Sequence, residues 1–362
     1  MSAVAENGGG IVRPETRPFG EVAKGYTFFA EGDVIFAKIT PCMQNGKHAI
    51  AGNLLDGFGF GSTEFHVFRP RDEIISEWIL NFLLQPKVLT EATRHFTGAV
   101  GQQRVPENVL ANMEIALPPK DEQRRIAARL REQMAAVERA RAAVQGQLDA
   151  AQSLPAALLR AIFTSHAAQR WPRRCLGDML ETRNDIIHPR NRPTGTATFV
   201  GLEHIEPNTG RQIGSIEIDK AEMTERKAQF FKGDIVYGYL RPYLNKVWIA
   251  EFDGLCSVDQ YVYQVNSELA VTSFVAWFMR SSTYLERAPI GGSPGQLPRI
   301  RMEEVAATEI NLPPRAEQQK IAARLDAELT AARALVETLA TRLAEIELLP
   351  AALLRSAFAG QA

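Results

Sequence analysis

The chain has 362 residues, enough for two or three domains that each bury a core. It is 45% hydrophobic and 23% charged, the balance of an ordinary globular protein, and its net charge of −1 argues against an indiscriminate polycation while leaving room for a basic stripe. Cys42, Cys175 and Cys256 are far apart with no C-x-x-C pair, which argues against a disulfide framework or zinc site and fits a reducing cytoplasm. No run of about 18 apolar residues predicts a membrane span, and the first residues carry no basic and apolar leader.

A strand is predicted over Asp33–Ile39 behind a Glu31-Gly32-Asp33 turn, and a second over Glu64–Phe68, with Asp56–Gly61 read as the turn leading into it. A helix-like segment follows at Trp78–Leu84. A Gly/Gln loop, Gly98–Val105, then leads to a short apolar strand stopped by Pro118-Pro119. Beyond it Ile126, Leu130, Met134, Val137, Ala140, Val144 and Leu148 fall on one stripe of a long amphipathic helix. A run of about 30 residues spans roughly 45 Å. Pro155 is expected to break that helix or to begin a shorter one.

The same order then repeats. Strands are predicted at Gly233–Leu240 and Asp259–Tyr263, a helical segment at Val275–Met279, and a glycine-rich loop at Gly291–Ile300. Pro313-Pro314 precedes a second stripe of Ile321, Leu325, Leu329, Ala332, Val336, Leu339, Leu343 and Ile346, interrupted at Pro350. Ile126-Ala127-Ala128-Arg129-Leu130 recurs 195 residues later as Ile321-Ala322-Ala323-Arg324-Leu325, and Leu154-Pro155-Ala156-Ala157-Leu158-Leu159-Arg160 recurs at the same offset as Leu349–Arg355. This is too large for a solenoid period of about 20–50 residues. It is a duplicated domain plus helix. Upstream the offset is 201, which pairs Gly32 with Gly233 and sets Met1 opposite Leu202. The first copy is therefore read as lacking a front of about 30 residues. A truncated gene, a misplaced start, or a front supplied by another chain would each account for this.

Each stripe must be buried, most simply against its twin in a coiled-coil-like pair, with outer faces left for partners. The apolar segments Ala156–Phe163 and Ala351–Phe358 are expected to seal the helix ends against a globular domain. The fold class expected is α+β, with domains at residues 1–118 and 170–314 and long helices with short closing helices at 119–165 and 315–360.

Leu176-Gly177-Asp178, Phe231-Lys232-Gly233-Asp234-Ile235, Leu312-Pro313-Pro314, Glu317-Gln318-Gln319-Lys320-Ile321 and Leu353-Leu354-Arg355-Ser356-Ala357-Phe358, with Glu31-Gly32-Asp33-Val34, Leu117-Pro118-Pro119, Glu122–Ile126 and Leu158–Phe163 in the first copy, resemble the specificity subunit of a type I restriction–modification system. The resemblance covers almost the whole chain and rests on the order and double occurrence of these motifs. It implies two target-recognition domains that each read one half of a split double-stranded DNA site, joined by antiparallel helices that fix the gap. It also implies methyltransferase subunits carrying S-adenosylmethionine, and translocating restriction subunits using ATP and Mg. The chain itself would need no cofactor and do no chemistry. The first copy's missing front departs from the family pattern.

A half-site reader needs phosphate anchors and base-edge readers. In the second domain Arg241, Tyr243, Asn245 and Lys246 cluster after a strand; Lys38, Thr40, Gln44, Asn45 and Lys47 are their counterparts. The glycine-rich loops add Gln102, Gln103 and Arg104, and Ser293, Gln296 and Arg299, whose amides and guanidinium groups suit adenine and guanine edges. A plain packing role for Tyr243, solvated charges, or a glycine turn with self-capping polar groups fits the same residues. Two rival functions stand beside DNA reading: a protein-interaction scaffold without DNA readout, and a stand-alone methyltransferase. The second finds little support, because Asp56–Gly61 has Phe60 where a cofactor loop needs glycine and no Asn-Pro-Pro-Tyr motif occurs. Gly46-Lys47-His48 is not a Walker sequence, and the six histidines show no H-E-x-x-H spacing.

Overall fold

A computed structural model describes residues 1–99, 101–288 and 297–359. The chain divides into two compact units, Met1–Gly146 with Leu339–Ala362, and Gln147–Thr338. The long helices run over Lys120–Phe163 and Arg315–Ala359. Each unit therefore holds the start of one long helix and the end of the other.

Unit 1 contains strands β1 (Thr27–Ala30), β2 (Val34–Ala37), β3 (His48–Ile50), β4 (Phe58–Gly61) and β5 (Phe65–Phe68). They form a β3-β2-β5 sheet and a β1-β4 ribbon, all antiparallel. All four residues of β2 are buried, and the alternation of a strand explains how. Val34 and Phe36 face a cluster with Trp78, Phe82 and Leu83; Ile35 and Ala37 face another with Phe29 and Phe65. The turn ahead of β2 needs a left-handed residue, and Gly32 supplies it at φ 86°.

Unit 2 contains β6 (Arg173–Cys175), β7 (Leu180–Thr182), β8 (Ile186–Ile187), β9 (Thr196–Val200), β10 (Ile216–Asp219), β11 (Lys227–Phe230), β12 (Ile235–Gly238), β13 (Val247–Ile249), β14 (Gly254–Ser257), β15 (Gln260–Val265) and β16 (Glu309–Asn311). The sheets are β10-β9-β14-β11-β8, β13-β12-β15-β7 and β16-β6. Strand β12 repeats the logic of β2, with Ile235 and Tyr237 on one cluster and Val236 on the other.

Each unit's core takes in both of its helix segments. Ile126 and Leu130, with Leu354, Ala357 and Phe358, join the Trp78 cluster, with Met134 at its edge. Leu325 and Leu329, with Leu159 and Phe163, join the Phe274 cluster, with Ile321 at its edge. The expected sealing segments thus lie in the cores. Farther along, Val137, Val144, Leu148, Leu339 and Ile346 are buried, while Val336 and Leu343 are half-buried. A buried glutamine fastens each helix start. Gln123 accepts from the Ile75 amide and donates to the Glu73 and Pro118 carbonyls; Gln318 does the same with Val271, Leu269 and Pro313.

Three expectations fail. Neither Pro155 nor Pro350 ends its helix. Each removes one backbone hydrogen bond, but the residues beyond, Leu159, Phe163, Leu354 and Phe358, are core residues whose burial outweighs that loss. Asp56–Gly61 is not merely a turn. Leu55–Gly57 makes one 3-10 turn and Phe58–Gly61 is a full strand on β1, its period-two Phe-Gly pattern masked by the glycines. The apolar strand expected before Pro118 is not formed. Its counterpart β16 exists by pairing with β6, and among the described residues unit 1 has no such partner.

Candidate nucleic-acid interface

In each unit the two candidate loops form one patch. In unit 1 the Val105 amide donates to the Lys38 carbonyl and the Thr40 amide to the Gln103 carbonyl, both at 2.9 Å. In unit 2 the Ile300 amide donates to Tyr239 at 3.2 Å and the Arg241 amide to Pro298 at 2.8 Å. These are the same bonds moved by the two repeat offsets. The β-bridges Ile39–Arg104 and Leu240–Arg299 match as well. So do the side-chain bonds from His66 Nε2 to the Val105 carbonyl (2.8 Å) and from the Tyr261 hydroxyl to the Ile300 carbonyl (3.4 Å).

On the unit 1 patch Gln44 and Gln102 are exposed; Lys38, Lys47 and Gln103 are half-buried. The Thr40 hydroxyl donates to Gln44 Oε1 at 2.6 Å. Arg104 is not loose. Its Nε and Nη2 each reach a Glu64 carboxylate oxygen at 2.8 Å, and Nη1 donates to the Gln102 carbonyl at 2.8 Å. The Arg104 hydrogen bonds hold the Glu64 carboxyl below the usual carboxylate range, with nearby Lys38 adding to the effect.

On the unit 2 patch Arg241 is exposed in a left-handed conformation, and Tyr243 beside it is 53% exposed. Tyr239 stacks on Tyr261 at 4.3 Å between ring centres, with its hydroxyl 3.4 Å from Asp259 Oδ1. Burial raises the Tyr239 phenol above its ordinary value; the Asp259 charge adds to this and the Arg299 charge opposes it. Ser293 and Gln296 lie outside the described residues.

Two of the unit 2 candidates point the wrong way. Asn245 is 2% exposed and donates inward to the Arg280 carbonyl at 2.8 Å. It occupies a left-handed position, φ 47°, which asparagine tolerates better than most residues, and its role is to shape the turn. The Lys246 ammonium is turned back onto the Leu202 carbonyl, so it ties the loop down. The strand and motif patterns assign no role to Glu64 and Asp259, nor to Gln123 and Gln318 within their helix-start motifs. The 195-residue offset pairs both sets, an acid opening each strand and a glutamine opening each helix.

The family model for the type I restriction modification DNA specificity domain matches residues 16–142 and 169–347. The chain belongs to this family. It is 39% identical to the type I restriction enzyme EcoAI specificity subunit of Escherichia coli over 165 residues, 44% of this chain and 28% of that protein. It is 37% identical to the EcoEI specificity subunit of the same organism over 170 residues, 47% of this chain and 29% of that protein. The matched stretches thus span less than a third of these relatives. Two solved structures share the fold. One is a chain described in work on complex assembly and conformational transition of the type I R-M system, with TM-score 0.75 and 22% identity over 99% of this chain and 89% of that one. The other is the HsdS subunit from Thermoanaerobacter tengcongensis, with TM-score 0.69 and 23% identity over 100% and 89%.

Proposed function

We propose that this chain is a specificity subunit in which each unit reads one half of a split duplex DNA target through its patch. The observation that carries the reading is the patch itself, built twice with the same backbone bonds and bridges on two units that share both long helices. Exposed Arg241, Tyr243, Gln44 and Gln102, with the half-buried Lys38, Lys47 and Gln103, provide phosphate anchors and base-edge partners. The buried stripes of the two helices pack antiparallel and set the gap between half-sites. Their outer faces dock methyltransferase subunits, which carry S-adenosylmethionine, and restriction subunits, which use ATP and Mg. The specificity chain orients this cytoplasmic assembly and leaves the chemistry to its partners.

Selection of bound duplexes from a random pool at 0.15 M salt tests this. Two short motifs at a fixed gap are expected. Inserting four residues, about 6 Å of rise, into both helices near Ala140 and Val336 is expected to change that gap while leaving the motifs intact. No enriched motif, or binding set only by salt, would overturn the reading.

A further inference from the structure

We infer that Glu64 is a specificity-determining positioning residue: it holds Arg104 so that the end of the guanidinium meets a guanine edge. This deepens the function proposed above and rests on it.

A guanidinium carries five N–H donors in a fixed fork. Glu64 engages Arg104 from the side, through Nε and Nη2, and the Gln102 carbonyl takes one hydrogen of Nη1. One N–H on Nη1 and one on Nη2 remain. A side-on carboxylate leaves the end of the fork, the edge that pairs with guanine O6 and N7. The Arg104 side chain is 40% exposed. Holding it in the free protein lowers the ordering cost on binding.

The supports behind the pair are built in the same way in both units. Ser62 Oγ accepts the Glu64 amide and Ser257 Oγ accepts the Asp259 amide, each at 3.2 Å. His66 and Tyr261 hold the carbonyl of the residue after each arginine, and the arginines themselves bridge Ile39 and Leu240. A lone surface ion pair has no need of this matched scaffolding, since exposed pairs contribute little to stability. The units differ at the acid itself. Unit 2 has an aspartate, one methylene shorter, whose carboxylate takes the hydroxyls of Tyr239, which stands where unit 1 has Lys38, and of Ser257, each at 3.4 Å. Two heads with one framework and different tips suit two different half-sites.

The test is the same random-pool selection, run on the full chain with E64Q, R104K and D259N, with thermal midpoints measured for each. In wild type both half-motifs appear. E64Q is expected to relax guanine preference at one position of one half by about tenfold, with the other half unchanged. D259N, whose wild-type carboxylate takes the Tyr239 hydroxyl in unit 2, is expected to leave the half read by unit 1 unchanged. R104K keeps the charge and loses the fork, and is expected to abolish the same preference that E64Q weakens. It also serves as the second variant should E64Q fold poorly. If the wild-type motif is recovered and E64Q and R104K leave it intact, or weaken binding to all sequences alike as a phosphate anchor would, the inference falls while the proposed function stands. If wild type itself yields no motif, it is the proposed function that fails.

Discussion

Among the described residues, strand β15 of unit 2 has a neighbour on each side, β12 and β7, whereas its counterpart β5 in unit 1 has β2 alone. Likewise, among these residues, β14 lies between β9 and β11, while β4 pairs only with β1. Four of the extra strands, β6, β7, β8 and β9, come from residues 173–200, which have no counterpart in unit 1 among the described residues. Unit 1 carries a surface group of phenylalanines on its β1-β4 ribbon. Phe28 and Phe58 are exposed, and both pack on Phe60 at 5.7 and 6.1 Å. Yet both units keep the buried central strand, the glutamine clasp and the two-loop patch. The outer strands shield sheet edges; the central strand and the helix segments hold the patch. This division can be tested by perturbing matched positions in the two units.

The largest effects are expected where a helix end enters a core. Phe358 lies against Trp78 at 4.3 Å in unit 1; Phe163 meets Phe274 and Phe278 at 5.5 and 5.4 Å in unit 2. Replacing either with alanine removes a buried ring and is expected to cost about 3–5 kcal/mol. Hydrogen exchange resolved by peptide should show F358A loosening β2 and F163A loosening β12. If each variant loosened both units equally, the cores would not be independent.

Next come the clasps. Q123A leaves the Ile75 amide and the Glu73 and Pro118 carbonyls without partners, and Q318A does the same at Val271, Leu269 and Pro313. A buried polar group left unpaired costs about 1–3 kcal/mol. Each variant is expected to lower the urea midpoint by a similar amount, because the three bonds are the same. A difference well beyond error would show that the clasps do unequal work.

The repeat, the helices and their stripes were legible because their signals are local: a period near 3.6, a double proline, and motifs restated at one offset. The two-loop patch was half legible, since composition marks Gly/Gln loops but cannot show that their backbones are laced together. Asn245 misled because a polar residue in a turn looks available, whereas its left-handed backbone turns the amide inward. Pro155 and Pro350 misled because a local rule was overruled by tertiary burial on the far side. Glu64 stayed hidden because its partner lies 40 residues away and acid–arginine pairing has no local pattern.

One aspartate occurs in both units. Asp33 and Asp234 both accept the amide three residues back and are both buried. Asp234 is paired with Arg183, from the segment unit 1 has no match for, and that guanidinium also lies 4.7 Å from the Phe231 ring centre. Asp33 is paired with Arg69, whose side chain is 62% exposed. R183A is expected to cost about 1.5–3 kcal/mol, the range for a hydrogen bond to a charged group. R69A is expected to cost less, since water already reaches that side of the pair. Equal losses in thermal denaturation would mean that exposure does not set the difference.

The smallest effect is confined to unit 1. His48 on β3 faces Phe36, stacked at 4.0 Å, and is fully buried; the matching position on β13 is Val247. Burial pulls the imidazole down to about 3 from 6.5. His48 is thus neutral in the folded unit throughout the ordinary range, while the unfolded chain takes up a proton below about 6.5. Between those values the unfolded state binds more protons, so stability is fully present above 6.5 and is lost as the pH falls. The slope is about 1.4 kcal/mol per pH unit well inside that window. Between pH 6.5 and 5.5 the loss should be about 1 kcal/mol in denaturant titrations read by exchange at β2. H48V, which gives unit 1 the residue of unit 2, should remove that slope, while β12 of unit 2 should show no comparable slope from this position in either protein. If H48V kept the full slope between pH 6.5 and 5.5, the acid sensitivity would have to arise at another group; Asp33 and Glu64 are not that source, since both are held ionised by arginine and lose that support only at lower pH.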